Sequence, residues 1–198
     1  MEFDVVQGDI AAQSADALVN AAGTSLEMGS GVAGALRRGA GEEINEEATA
    51  KGPVDLGEVA VTDAYDLDAD YVIHAAAMPH YGVHETPSES RELTRTEGSG
   101  ADGRATEESI RDATRNALEK ADDLRCRSIA LPALGCGVAG FDLAEGAALI
   151  AEEIRDYEPE TVAEVRFIAY ADEEYETIRA ATATGDSPAP TDGSESDR

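Results

Sequence analysis

Short apolar runs rich in β-branched residues alternate with segments of helical period along most of this 198-residue chain. This alternation predicts a three-layer α/β/α domain around a mixed, mostly parallel central sheet. We expect the first strand to run antiparallel at one edge of that sheet. The predicted strands are residues 2–7, 16–22, 58–64, 70–77, 128–134 and 163–170.

Helical segments lie between these strands. Apolar side chains within residues 32–48 share one face of a helix, but Gly39 and Gly41 interrupt the pattern. The segment is therefore predicted to form two short helices. Further helices are predicted at residues 106–123, 142–157 and 172–180.

Composition divides the chain into one domain and two polar segments. The domain is expected over residues 1–180, a length typical of a single domain. Residues 85–104 are polar, rich in glycine and serine and without periodicity, which predicts a surface insertion. Residues 181–198 contain mainly small, polar and acidic residues and are expected to form a disordered acidic tail.

Acidic residues outnumber basic ones by 42 to 15, which gives a net charge of −27 at pH 7. Such a field repels naked nucleic acid and anionic membranes, so neither is an expected partner. Self-repulsion also destabilises a compact state unless salt screens it. The charge therefore predicts a halophilic protein from a salt-loving archaeal source.

The remaining composition bears on location. No apolar run is long enough to cross a bilayer, and no charged-then-apolar leader precedes Glu2. The two cysteines, Cys126 and Cys136, suit a reducing interior. We therefore expect a soluble, cytoplasmic protein that is a monomer.

Two nearly identical glycine-rich hexapeptides, GSGVAG at residues 29–34 and GCGVAG at residues 135–140, each stand between a predicted strand and a predicted helix. In such sheets, ligands bind beyond the carboxyl ends of the strands, where these loops are expected. Backbone amides in a glycine loop, with a helix N-terminus behind them, attract an anion without cationic side chains. Two facing loops would hold a diphosphate from both sides. The alternative is that each loop only closes a strand-to-helix connection.

A dinucleotide site of the Rossmann type uses the same glycine pattern with a different spacing. It needs its first glycine at the end of a strand and an acidic residue about 20 positions further on, at the tip of the next strand. Here residues 23–28 separate the strand from Gly29, and Asp172 lies too far beyond the second loop. The spacing excludes this class of site.

Six short motifs occur in order along residues 1–180: GDI at 8–10, ALVNAA at 17–22, GSGVAGAL at 29–36, GEVAVT at 57–62, YVIHA at 71–75 and ALPALGCGVAGFD at 130–142. By these motifs the chain resembles the macrodomain family of Appr-1″-p processing and ADP-ribose-binding proteins. The resemblance implies a site for ADP-ribose, free or attached to protein.

The resemblance also assigns the adenine end of that site. Asp9 would accept a hydrogen bond from the adenine amino group, with the amide of Ile10 beside it. The alternative for Asp9 is that it caps the following turn. Tyr170 would lie against the adenine, or would be an ordinary tyrosine at the end of a strand.

The diphosphate would lie against backbone amides of both glycine loops. The resemblance implies Gly31 and Val32 as donors from the first loop and residues 137–139 as donors from the second. Asn20 would either reach the distal ribose or satisfy loop backbone. The second-loop residues implied in ligand binding are Gly135, Cys136, Gly137, Val138, Ala139 and Gly140.

Three positions depart from the pattern of hydrolytic macrodomains. Gly23 replaces an Asn and Ala33 replaces an Asp that are thought to orient or activate the attacking water, and neither replacement offers an acceptor. Ala139 replaces an aromatic residue that packs on the distal ribose. Binding of ADP-ribose or a derivative is therefore the leading function. We assign no catalytic residue, cofactor or metal.

Two other functions stay open. One is a hydrolase acting on ADP-ribosylated protein, O-acetyl-ADP-ribose or ADP-ribose 1″-phosphate, with the substrate's own phosphate activating water. The other is a scaffold with a vestigial pocket.

Histidine and cysteine offer weaker alternatives. His80 and His84 are spaced to bind zinc on a helix, but Pro79 and Gly82 favour a loop there. Cys136 could be a nucleophile at a helix N-terminus, but as a small residue in a loop it is better explained by packing. His74 is expected to be a core residue with its hydrogen bonds satisfied.

Overall fold

A mixed sheet of six strands forms the middle layer of the computed structural model, which describes residues 1–79 and 104–183. The predicted tail beyond Ala183, and the predicted insertion except Arg104, lie outside the described residues. The strands are β1 (Glu2–Gln7), β2 (Ala17–Gly23), β3 (Val59–Asp63), β4 (Tyr71–Met78), β5 (Ser128–Leu131) and β6 (Glu164–Ala169).

The strand order is β1-β6-β5-β2-β4-β3, and only β3 runs antiparallel to its neighbour. The prediction that β1 is the antiparallel strand is wrong, although β1 does lie at an edge. It pairs in parallel with β6, from Glu2 opposite Glu164 to Gln7 opposite Ala169. The connection between β3 and β4 is short, and a short connection can join antiparallel strands only. The mixed, mostly parallel sheet is confirmed.

Helices cover both faces of the sheet, which confirms the three-layer architecture. A short 3-10 turn (Ile10–Ala12) lies with α1 and α2 on one face, and α3 to α5 lie on the other. In the part of the chain that the structure describes, no helix is long and apolar enough to cross a membrane. The helices are α1 (Gly31–Ala40), α2 (Glu43–Lys51), α3 (Glu107–Asp123), α4 (Leu143–Asp156) and α5 (Asp172–Ala183).

Helix boundaries agree with the sequence pattern except at the end of α5. The predicted break between α1 and α2 is confirmed, because Gly41 takes a φ of 101° and ends α1. Helix α5 continues past its predicted end at Ala180. Thr182 is buried there, and its carbonyl accepts a hydrogen bond from Arg155. The first residues of the expected tail therefore belong to the folded domain.

Candidate functional site

Four neighbouring parallel strands bring all the candidate ligand-binding segments to one edge of the sheet. Strands β1, β6, β5 and β2 are adjacent in that order and run in the same direction. Strand β1 leads into Gly8 and Asp9, and β6 leads into Tyr170. Strand β5 leads into the second glycine loop, and β2 leads into the segment that precedes the first glycine loop. The two glycine loops thus follow strands that are hydrogen-bonded to each other.

The first loop forms the start of helix α1. Gly31 is the first helical residue, and the Gly34 amide donates to the Ser30 carbonyl over 3.1 Å. The Ser30 side chain makes no capping hydrogen bond. Within residues 1–79 and 104–183, the amides of Gly31 and Val32 find no acceptor. The positive N-terminal end of this ten-residue helix therefore presents these amides as free donors at the edge of the sheet where the strands have their carboxyl ends.

The second loop commits some of its amides to internal bonds. Gly140 donates to the Gly137 carbonyl over 3.0 Å, and Cys136 donates to the Ala133 carbonyl over 3.3 Å. The amides of Cys136 and Gly140 are therefore used within the loop, and contact of these two residues with a ligand stays a prediction. The amides of residues 137–139 form no hydrogen bond with any residue that the structure describes.

Gly135 lets this loop pack closely against the start of helix α3. Its φ is 73°, and a β-carbon placed on it would lie 2.7 Å from the Ala105 Cβ and 3.0 Å from the Ile110 Cγ1. Gly135 is buried, so it packs between the loop and the core and does not lie on the exposed surface of the loop. Gly137 differs, because it is exposed and no atom of the described residues lies within 4 Å of the corresponding position.

The thiol of Cys136 packs against helix α4, and the residue is half-buried. It lies against Gly146 of α4 and donates weakly to the Leu134 carbonyl over 3.4 Å. Burial, with the carboxylates of Asp142 and Glu174 nearby, raises its pKa to about 12. Helix α4 begins only at Leu143, so Cys136 is not at a helix N-terminus. The contacts of the thiol and its distance from the start of α4 favour packing as its role over the nucleophile alternative.

The two residues expected at adenine are both exposed. Asp9 Oδ1 accepts the Ala11 amide over 2.9 Å, so Asp9 does cap the following turn. Its other oxygen accepts no hydrogen bond among the described residues, and neither does the Ile10 amide donate one. Tyr170 lies one residue beyond β6 with 75% of its surface exposed. Contact of these residues with adenine stays a prediction.

The family model described as "Macro domain" matches residues 19–150, which is more than half of the chain. The chain belongs to the Macro domain family. An uncharacterized protein of Mycobacterium tuberculosis is 38% identical over 189 residues, covering 96% of this chain and 47% of that protein. An uncharacterized protein of Sulfolobus acidocaldarius is 36% identical over 183 residues, covering 90% and 89%. This macrodomain thus spans about half the length of its mycobacterial relatives.

Solved macrodomains share the fold. The Trypanosoma brucei macrodomain in complex with ADP-ribose has a TM-score of 0.72 and 25% identity, covering 90% of this chain and 68% of that one. The Oceanobacillus iheyensis macrodomain with ADP has a TM-score of 0.71 and 25% identity, covering 91% and 89%. The relatives named here are mycobacterial, crenarchaeal, bacterial and trypanosomal, so they give no support to the expected haloarchaeal source.

Asn20 lies in the core of this macrodomain. It is fully buried in β2, and its Nδ2 lies 3.0 Å from Nδ1 of His74 on β4. His74 Nε2 lies 3.0 Å from the Thr62 hydroxyl. Burial lowers the His74 pKa to about 4, so the ring is neutral. Because Asn20 Nδ2 can only donate, Nδ1 accepts, and Nε2 carries the proton and donates to Thr62. Asn20 thus pairs with the core histidine through Nδ2, while its Oδ1 has no hydrogen-bond partner among the described residues. Contact of Asn20 with the distal ribose stays a prediction, and the core role of His74 is confirmed.

Two residues that hold the first loop could not be identified from the sequence. Asn45 Oδ1 accepts the Met28 amide over 2.8 Å, and Arg37 Nη1 donates to the Met28 carbonyl over 3.1 Å. Arg37 also pairs with Glu42. One weak signal was available: asparagine is a poor residue for the middle of a helix, so Asn45 invites an explanation.

Four further residues were considered for the site: two histidines and the two positions that depart from the hydrolytic pattern. His80 and His84 lie outside the described residues. Gly23 ends β2 without a side chain, and Ala33 is a buried methyl group with 6% of its surface exposed. Neither position presents an oxygen or nitrogen side-chain atom to a water molecule.

Proposed function

We propose that this macrodomain binds ADP-ribose, free or attached to protein, with its diphosphate between the two glycine loops. The observation that supports this most is a set of amides with no partner among the described residues, in two loops that follow the hydrogen-bonded strands β2 and β5. The donors are Gly31, Val32, Gly137, Val138 and Ala139.

Unpaired amides are costly unless water or a ligand satisfies them, and an anion satisfies them best at a helix N-terminus. Fixed backbone donors also suit a chain with a net charge of −27. They act over hydrogen-bond distances, so the repulsive field of distant carboxylates affects them little once salt shortens the Debye length to about 3 Å at 1 M.

The solved relatives support the same ligand class. The T. brucei macrodomain is in complex with ADP-ribose, and the O. iheyensis macrodomain is with ADP. Both ligands contain adenine and a diphosphate. In our proposal, Asp9, Ile10 and Tyr170 contact the adenine, because they follow β1 and β6, beyond the second loop.

Binding without turnover fits the residues present. Gly23 and Ala33 provide no acceptor that could orient an attacking water, as general-base catalysis requires. We therefore propose a protein that recognises ADP-ribose and does not depend on hydrolysing it. A cytoplasmic, monomeric and halophilic state remains our expectation from composition.

Calorimetric titration in molar KCl tests the proposal. ADP-ribose should bind more tightly than AMP, which has adenine but only one phosphate. In Gly137→Val, a branched side chain would enter space next to the loop that no described residue occupies within 4 Å, without the strain that a positive φ would add. Affinity for ADP-ribose should fall about tenfold or more, since several charge-assisted hydrogen bonds are blocked. The melting temperature serves as the control for folding. No heat with ADP-ribose, or unchanged affinity in Gly137→Val, would overturn the proposal.

A further inference from the structure

Among the residues that the structure describes, few neighbours surround the ring of Tyr170. The sheet ends beside it, with the Gly8 amide donating to the Ala169 carbonyl over 2.8 Å. Tyr170 itself lies past this ladder and exposes three quarters of its surface. The direction of its ring therefore depends mainly on the backbone to which it is attached.

One carboxylate fixes that backbone. Glu174 Oε2 accepts the Tyr170 amide over 2.8 Å and the Ala171 amide over 3.4 Å. Helix α5 starts at Asp172, and the Tyr175 amide donates to the Ala171 carbonyl, so Ala171 is the N-cap and Glu174 is at N3. A glutamate at N3 ordinarily reaches back to the N-cap amide. Here its shorter bond goes to the residue before the cap, which is Tyr170.

We propose that Glu174 is a positioning residue for ADP-ribose: its carboxylate fixes the Tyr170 backbone so that the ring is presented to the adenine. This inference rests on the proposed function. The competing explanation is that Glu174 only caps helix α5. The two explanations differ in what they predict for binding once Tyr170 is removed.

Charge and positioning predict opposite changes in ligand affinity when the Glu174 carboxylate is removed. The Glu174 carboxylate is close enough to the second loop to help raise the pKa of Cys136. By charge alone, removing this carboxylate should strengthen binding of an anionic diphosphate. A loss of affinity on removing it would therefore come from a loss of positioning.

A double-mutant cycle measured by calorimetry with ADP-ribose separates the explanations. Tyr170→Ala should weaken binding by roughly 5- to 100-fold, the range for removing one base-stacking aromatic ring. Glu174→Ala alone should weaken it about 3- to 10-fold, the loss expected for one hydrogen bond of ordinary net strength. In the Tyr170→Ala background, Glu174→Ala should change affinity by less than about twofold, because its effect acts through the ring.

Two further variants keep the test decisive. Glu173→Ala removes an equal charge from the same helix end, where Glu173 is exposed, and should leave affinity unchanged or slightly tighter. Glu174→Gln retains an acceptor oxygen and should bind within about twofold of the parent protein. It also provides a folded variant should Glu174→Ala unfold.

The results that contradict the inference differ from those that contradict the proposed function. Failure of the parent protein to bind ADP-ribose would overturn the function itself. If the parent binds, an equal loss from Glu174→Ala in both backgrounds, or no loss in either, would overturn the positioning role alone. Unchanged binding in Tyr170→Ala would also overturn it.

Discussion

The side chain of Asn45 holds the backbone of Met28. Its Oδ1 accepts the Met28 amide over 2.8 Å, and Met28 is itself buried. This bond ties helix α2 to the residue immediately before Gly29, where the first glycine loop begins. The position of the loop amides thus depends on a residue that lies outside both glycine motifs.

Replacing Asn45 should affect stability and binding together. Asn45→Ala leaves the buried Met28 amide unsatisfied, so the free energy of unfolding should fall by about 1–3 kcal/mol. ADP-ribose affinity should also fall severalfold because the loop is less well ordered. Urea unfolding and calorimetry measure the two effects. Glu46→Ala, an exposed neighbour on α2, is the matched control and should change neither quantity. Full affinity in Asn45→Ala would show that the loop needs no support from α2.

Asp122 should make stability depend on acid pH. Burial opposes its ionisation, but hydrogen bonds from the Tyr157 hydroxyl and from the Glu160, Thr161 and Val162 amides hold its pKa well below the ordinary value of 3.8. Because this pKa is lower in the folded protein than in the unfolded chain, the ionised carboxylate stabilises the fold fully at pH values above the unfolded pKa. This stabilisation is lost progressively as the pH falls from the unfolded pKa through the lower folded pKa.

Asp122→Asn removes the charge that these donors require. At pH 7 the free energy of unfolding should fall by about 1.5–3 kcal/mol, as for a hydrogen-bonded charged group. The difference from the parent protein should shrink as the pH falls below about 4. Urea titrations at several pH values measure it. Asp123→Asn, which alters only an exposed pair with Lys120, is the control. An equal difference at pH 7 and at pH 3 would contradict this assignment.

Salt should raise the stability of the protein. A net charge of −27 on the whole chain produces repulsion that potassium ions screen. The melting temperature, measured by differential scanning calorimetry, should therefore be higher in molar KCl than in dilute buffer. A melting temperature that is equal or lower in molar KCl would show that the charge is not an adaptation to salt.

Local patterns in the sequence were enough for most elements of the fold. Gly41 marked the break between α1 and α2, because a positive φ at the end of a helix favours glycine. The direction of β1 could not be predicted, because it depends on pairing between Glu2 and Glu164 at opposite ends of the chain. No local propensity encodes a contact of that range.

The same distinction applies to the site. Glycine spacing located both loops, but it could not indicate that Cys136 and Gly140 use their amides within the loop, since that depends on the turn adopted. Asn20 lies in a strand, and its partner His74 is contributed by the neighbouring strand. Side-chain pairing across strands follows from register, which single-sequence reasoning does not provide.

Amide chemical shifts in ¹⁵N-labelled protein, recorded during titration with ADP-ribose, test most directly whether both loops hold one diphosphate. The amides of Gly31 and Val32 and those of residues 137–139 should shift together, with a single dissociation constant. Perturbation confined to one loop, with the other unmoved at saturation, would contradict a diphosphate shared between them.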